Sequence, residues 1–290
     1  MPAPPPPETP DRVVRRAASH EESVRAGRGW WDEEAETYYA EHGRDLGDAD
    51  LSWGPEGRTE AELGVLGPLR GLDVLEVGGG AAQGARWCAG QGARVLSCDV
   101  SGGMLTVAQR LDASRPGASP AAYLQCDGAA LPLADACLDV VFTAHGVLAF
   151  VPDATSTLRE WARVVRPGGR VVFSLPHPFR WVFPDVPGPE GLVARHSYFD
   201  RAAYVEETAA GVATYTEHHR TLGDLVRAVH DAGLVLVDLV EPTWVPGRHA
   251  WGGWSATRGD LLPGTALLVT VRPADDPDTR QGHSLVTKGS

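Results

Sequence analysis

Between about residues 72 and 175, short apolar runs alternate with stretches whose apolar positions recur at helical spacing. Residues 72–77 (LDVLEV) are nearly continuous in apolar character and lead through glycines into a helical stretch reaching Trp87. Residues 94–99 (RVLSCD) repeat the strand character before a helix over 103–111. A weaker strand is predicted over 121–125 and a fourth from Leu138 (LDVVFTA), followed by a helix over 154–165. The phrase VVRPGGRVVFSLP ends that helix at Pro167-Gly168-Gly169 and starts a fifth strand, because proline and glycine interrupt helices. Apolar runs alternating with helices predict a parallel sheet covered on both faces. Right-handed crossovers then gather the strand-to-helix loops along one edge, where ligands bind.

The flanks follow other rhythms. Residues 1–20 are rich in proline and charge and offer too little apolar surface to offset ordering entropy, so a disordered tail is expected. In the stretch after it, Trp31, Ala35, Tyr38 and His42 share one face of a helix, with Asp32, Glu33, Glu36 and Glu41 mainly elsewhere. After Leu175 the alternation stops for about forty residues, longer than an ordinary loop, and aromatic residues crowd in. It resumes with a helix over 221–233 and a strand over 234–240; a Trp- and Gly-rich loop over 244–254 precedes a last strand over 265–271. The expected division is a tail (1–20), an N-terminal helical lid (21–66), a cofactor-binding α/β domain (67–273) with a substrate-side insertion (176–216), and a flexible tail (274–290).

Candidate chemistry concentrates at the strand ends. Gly78, Gly79 and Gly80 follow the first strand, where glycine lets the backbone approach a ligand and take positive φ. A dinucleotide fingerprint needs a further glycine where this chain has Gln83, and a phosphate loop needs Gly-Lys-Ser/Thr, which is absent. The loop therefore suits a ligand without pyrophosphate. Asp99 ends the second strand, where a carboxylate can accept both hydroxyls of a ribose, and Asp127 follows the third on the same edge.

Composition adds limits. The chain has 290 residues, 43% hydrophobic and 22% charged, with 26 Lys plus Arg against 38 Asp plus Glu, a net charge of −12. That excess disfavours general nucleic-acid binding. Cys88, Cys98, Cys126 and Cys137 lack metal-ligand spacing, so no metal is expected and the thiols read as structural. No run approaches the length of a membrane span or a signal-peptide core, which makes a reducing cytoplasm the expected location.

With these residues in view, the stretch 72–175 resembles the class I S-adenosylmethionine-dependent methyltransferases of small-molecule type, RPGGRVVFSLP being its most telling phrase. WWDEEAETYYAEHG looks like the lid helix of many members, and HHRTLGDLVRAVHDAG is similar to the helix before their sixth strand. The resemblance implies a Rossmann-like α/β fold: a seven-stranded, mostly parallel sheet with helices on both faces and an antiparallel last strand. It also implies S-adenosylmethionine as cofactor, leaving as S-adenosylhomocysteine. On that basis Gly78 and Gly80 pass the methionine portion and Glu76 shapes the loop. Asp99 holds the ribose, Met104 packs on adenine, Asp127 accepts from its amino group, and Gly128 adds a backbone contact. Ala144 offers its carbonyl to the cofactor amine, and Tyr38 closes over the site. The chain departs from the family at the fifth loop position, where Ala82 replaces a common glycine and is expected to sit inside the helix.

Methyl transfer to a hydroxyl or ammonium also requires loss of a proton. His145, after the fourth strand, is the first candidate base, with a histidine satisfied by neighbouring backbone as the equal alternative; His177 is the second. Adjacent His218 and His219 cannot both face one site, and His219 joins Trp181 and Tyr198 as a candidate on the acceptor side. Flat aromatic walls suit an apolar or planar acceptor, although buried rings more often fill a core. The expected activity is methylation of a small organic molecule at O, N or C. The alternative is a protein of the same fold that binds the cofactor without transferring methyl. A nicotinamide oxidoreductase inherits the failed fingerprint. A nucleic-acid amino-methylase would carry Asn/Asp-Pro-Pro-aromatic where this chain has Thr143-Ala144-His145-Gly146. Neither a membrane nor a nucleic-acid partner is expected, and the oligomeric state is not legible.

Overall fold

The structure, a computed structural model, describes residues 11–115 and 121–274. Its strands and helices run β1 (Arg12–Arg16), α1 (His20–Leu46), α2 (Glu60–Leu63), β2 (Asp73–Val77), α3 (Gln83–Gly90), β3 (Arg94–Asp99) and α4 (Gly102–Ala113). There follow β4 (Ala122–Gln125), β5 (Leu138–Thr143), α5 (Ala154–Val164), β6 (Val165–Pro176), β7 (Ala203–Glu207) and β8 (Ala213–Glu217). The chain then forms α6 (Leu222–Asp231), β9 (Val235–Val240), α7 (Ala256–Gly259) and β10 (Thr265–Val271).

Seven strands make one sheet in the order β4-β3-β2-β5-β6-β10-β9. Strands β2 to β6 are parallel to their neighbours, and β10 runs antiparallel to both β6 and β9. Alternation along the strands builds two cores. Leu75, Val141, Val171, Phe173 and Leu268 face one side, where Trp161 of α5 and Leu225 of α6 cover them. Val74, Val140, Phe142, Val172 and Leu267 face the other, beneath Trp53, Leu66 and Cys88. Burial on both faces is why these strands read as continuous apolar runs. Strand order reverses between β2 and β5, so the loops after these two strands diverge and leave a crevice at the sheet's carboxyl edge.

A second sheet, β1-β7-β8, is antiparallel and packs with α1 to form a cap. It corrects two expectations. The tail assigned to residues 1–20 is ordered from Arg12, because Val13 and Val14 pair with Glu206 and Val205 while Arg12 and Arg16 both bond the Glu207 carboxylate. The insertion contains two strands, where the sequence showed only a break in rhythm. The expected tails at 1–10 and 275–290 lie outside the described residues. Two smaller corrections concern ends. Helix α5 stops at Val164, before the Pro-Gly-Gly turn, since β6 already pairs with β5 at Val165. Ala82 precedes α3 in the left-handed conformation, φ 60°, and is not helical.

Ser19 caps α1 by accepting from the Glu22 amide, and Glu21 and Glu22 favour its positive end. Among the described residues no helix is long and apolar enough to cross a membrane.

Candidate active site

One cavity of about 670 Å3 opens at the crevice and runs beneath the cap, within the size range of small-molecule sites. The loops after β2, β3, β4 and β5 form one end. Gly78 and Gly80 both have positive φ, 65° and 52°. A Cβ on Gly78 would stand 2.2 Å from Val147 Cγ2, and one on Gly80 2.9 Å from Met104 Cε. Positive φ favours glycine at both positions, and at Gly78 the Val147 side chain adds a steric reason. Beneath the loop, the buried Glu76 accepts from the Ser97 hydroxyl at 2.8 Å and the Ala85 amide at 3.2 Å, tying the turn to β3 and α3. Burial pushes its carboxyl up to about 7.

Asp99 is 8% exposed and braces two loops: Oδ2 accepts from the Gly80 amide and Oδ1 from the Ser101 amide, each at 2.8 Å. Burial raises its pKa against these bonds. Each oxygen keeps a second lone pair for a ligand hydroxyl. Met104 stands beside the loop at the start of α4, and Asp127 and Gly128 follow β4. Asp127 Oδ2 lies 2.6 Å from His20 Nε2 at the first residue of the lid. Further along α1, Trp31 and Tyr38 meet edge to face, and Asp32 accepts from Ser101 Oγ at 2.7 Å and Gly103 N at 2.9 Å. Helix α1 is thus fastened to the loop that also holds Asp99. Burial raises the Tyr38 phenol to about 12, so it stays protonated.

Ala144 and His145 line the middle of the cavity. His145 is left-handed at φ 62°, a conformation that costs a non-glycine residue about 1–2 kcal/mol. Its amide donates to Ser174 Oγ at 3.0 Å. Its ring stacks on Trp251 at 5.6 Å, and His42 of the lid stacks on the same indole at 4.3 Å. Nε2 is buried without a partner. Burial, aided by the Arg248 charge, lowers the imidazole to about 4, so it is neutral at pH 7.

Ten of the residues singled out in the sequence line this one cavity: Tyr38, Glu76, Gly78, Gly80, Asp99, Met104, Asp127, Gly128, Ala144 and His145. Four do not, and are corrected. His177 is 1% exposed and turned the other way; Nδ1 accepts from the Phe179 amide and Nε2 lies 3.0 Å from Glu241. His219 Nε2 bonds the Tyr198 carbonyl at 2.7 Å, and Trp181 and Tyr198 close around that imidazole. Tyr198 Oη also accepts from the Leu222 amide at the start of α6. These rings fill the space under the insertion, outside the cavity.

The far end of the cavity takes in Trp251 and Trp254 of the 244–254 loop, which the sequence reading offered as a roof for an acceptor, together with residues that reading passed over. Trp30, Phe150, Tyr215, Trp251 and Trp254 give it aromatic walls, and Arg180, Asp185 and Glu217 a polar patch. A signal for Tyr215 and Glu217 existed: in ATYTE they alternate with threonines at strand period. Nothing local marked Arg180. No group of His, Cys, Asp and Glu able to hold a metal occurs among the described residues.

Comparison with known proteins agrees with this architecture. The family described as Methyltransferase domain matches residues 75–173. A demethylmenaquinone methyltransferase of Mycobacterium sp. (strain JLS) is 36% identical over 232 residues, 77% of this chain and 84% of that protein. Another, of Beutenbergia cavernae, is 38% identical over 119 residues, covering 40% of this chain and 47% of the relative. The chain thus spans about half the length of the first curated relatives it matches. An S-adenosylmethionine-dependent methyltransferase from Mesorhizobium loti has 25% identity and a TM-score of 0.55, covering 76% of this chain and 100% of that one. Taken with the glycine loop, the buried carboxylate of Asp99 beside it and the strand order, these likenesses are sufficient: the chain belongs to the S-adenosylmethionine-dependent methyltransferases.

Proposed function

We propose that the protein transfers the methyl group of S-adenosylmethionine to a small, flat organic acceptor. The observation that carries this is the continuity of one cavity from the glycine loop and Asp99 to a chamber walled by Trp30, Phe150, Tyr215 and Trp251. The loop fits the cofactor, since its positive-φ glycines leave open backbone beside Asp99, each of whose oxygens retains a lone pair for a ligand hydroxyl. When bound, the cofactor supplies a methyl carbon activated by its sulfonium.

The residues of this chain then divide the work. Gly78 and Gly80 allow close approach of the methionine portion, and Asp99 receives the ribose hydroxyls while bracing the loop. Met104, Asp127 and Gly128 line the adenine end, and the Ala144 carbonyl receives the amine. Tyr38 and the rest of the lid exclude water, which strengthens every polar contact inside and holds the reacting atoms in line. His145 Nε2, neutral and unpartnered, accepts the hydroxyl or amine proton of the acceptor. The net charge of −12 and the apolar chamber favour a small molecule over nucleic acid, and four free thiols suit the cytoplasm.

Calorimetry tests the reading. S-adenosylmethionine and S-adenosylhomocysteine are expected to bind, NADPH not to bind, and Asp99→Ala to weaken both sulfur ligands by about tenfold to a hundredfold, the loss of hydrogen bonds to a charged group. An acceptor screen scored by S-adenosylhomocysteine release then separates transfer from binding alone. Preference for NADPH, or no binding of either sulfur ligand, refutes the assignment.

A further inference from the structure

The acceptor side of the cavity carries one polar cluster that the steps above leave without a task. Arg180 Nη1 donates to Glu217 Oε2 at 2.7 Å, and Tyr215 Oη donates to Glu217 Oε1 at 2.7 Å. Arg180 Nη2 reaches Asp185 Oδ2 at 3.2 Å. All four residues line the cavity, brought there from the one-turn helix Pro178–Val182, its following loop and strand β8. The Glu217 side chain is 9% exposed, that of Arg180 22%, and that of Asp185 52%. A shielded ion pair is a poor device for stability, because desolvation offsets its attraction. In ligand chambers that are otherwise apolar, a few polar groups fix the ligand's orientation.

The bonding inventory says what would fit. A guanidinium has five N–H donors, and the side-chain bonds of Arg180 use two. Each Glu217 oxygen accepts one bond and retains a lone pair. The cluster therefore offers donors and acceptors side by side, its one guanidinium shared between two carboxylates, of which Asp185 is half exposed. Arg258 brings a second guanidinium close behind, stacked 4.4 Å over Trp254 and bonded to the carbonyls of Pro184 and Val186. A ligand carboxylate would meet Glu217 and Asp185, and a ligand ammonium would meet Arg180. A hydroxyl escapes both penalties: it accepts from Arg180, donates to Glu217, and buries no net charge. The flat surfaces of Trp30, Phe150 and Tyr215, with Trp30 5.2 Å and Phe150 5.9 Å from the Tyr215 ring, would receive the body that bears it.

We infer that Arg180 and Glu217 select a flat aromatic acceptor bearing a phenol-type hydroxyl and fix which edge of its ring faces the methyl group; this rests on the methyl-transfer reading. The whole protein, saturated with S-adenosylhomocysteine, is tested by equilibrium dialysis against 2-naphthol, naphthalene, 2-naphthoate and 2-naphthylmethylammonium. The naphthol is expected to bind at least about tenfold more tightly than the other three, as charge-assisted hydrogen bonds allow. Glu217→Gln and Arg180→Lys are expected to abolish that preference while S-adenosylhomocysteine affinity stays within about twofold, the scatter of a site left untouched. Equal binding of naphthalene, tighter binding of either charged ligand, or a preference that survives both substitutions overturns the inference alone. Failure of the wild-type protein to bind S-adenosylhomocysteine removes the methyl-transfer reading and the inference together. Should a variant lose S-adenosylhomocysteine as well, the wild-type ranking of the four ligands decides.

Discussion

His145 shows how a single residue can be set apart by backbone and surroundings at once. Its left-handed φ of 62° is paired with the still more positive Gly146, at 102°, and the amide is pinned by Ser174. Strain of this kind persists where the surrounding structure over-determines it, and it gathers at functional sites. The consequence for pH follows from the lowered pKa. An ordinary histidine would gain its proton below 6.5, whereas burial delays protonation of His145 until about pH 4. A rate that needs the neutral ring is therefore constant from about pH 5 upward and falls only through pH 4. His145→Ala is expected to lower kcat by about a hundredfold, the lower range for a general base because a weak base gains less, with cofactor affinity little changed. An acid limb near 6.5, or unchanged turnover in the variant, takes His145 out of the proton path.

At the scale of elements, the lid gains its position from the N-terminus of α4. Asp32 accepts from both Ser101 Oγ and Gly103 N, and a Cβ on Gly103 would fall 2.9 Å from the Asp32 carbonyl. Ser101 is itself the N-cap of α4 and neighbours Asp99 through its amide. Asp32→Ala is thus expected to loosen the lid and speed cofactor release by about tenfold, a charge-assisted bond's worth, leaving Asp99 in place. Stopped-flow measurement of S-adenosylhomocysteine dissociation checks this; an unchanged off-rate shows that α1 is held by other contacts. The sheet, the lid face of Trp31, Ala35, Tyr38 and His42, and the strand-end carboxylates were legible because each is written in local periodicity or in a glycine at a strand end. Strand β1 was not, since its partner β7 lies about 190 residues away and its own apolar content is two valines. Trp181, Tyr198 and His219 misled for a related reason: aromatic composition says that a ring will be buried, and only tertiary contacts say whether a cavity or a core receives it. Arg180 escaped notice because its task depends on Glu217, a residue on another element.

On the scale of the whole molecule, the cavity is the seam between two bodies of different strength. The seven-stranded sheet is sandwiched between two apolar cores, whereas the cap rests on a small cluster of Ala18, Ala26, Ala203, Val205 and Ala213. Alanines bury little area, so the cap contributes far less to burial than the sheet does. Its attachment combines the packing of Ala35, Trp31 and Tyr38 on Met104, Val107 and Leu111 with polar links at the seam: His20 to Asp127, Asp32 to Ser101, and Arg220 to the carbonyl of Leu148. Elements with few apolar contacts open locally at a lower free energy than the global transition. A cofactor in the seam touches both bodies and closes that opening by mass action, by about 2.7 kcal/mol at a hundredfold excess over Kd. Hydrogen exchange should therefore slow about a hundredfold, the same free energy as a rate ratio, in Ala203–Glu207, Ala213–Glu217 and the first turns of His20–Leu46 when S-adenosylhomocysteine is added. Val74 to Val77 and Val171 to Leu175, at the centre of the sheet, should already exchange far more slowly than the cap without ligand, because they open only by global unfolding, which the cofactor suppresses by the same factor. Equal exchange of the two regions without ligand would mean that cap and sheet unfold as one unit, and the lid would then have to admit the cofactor without the cap opening.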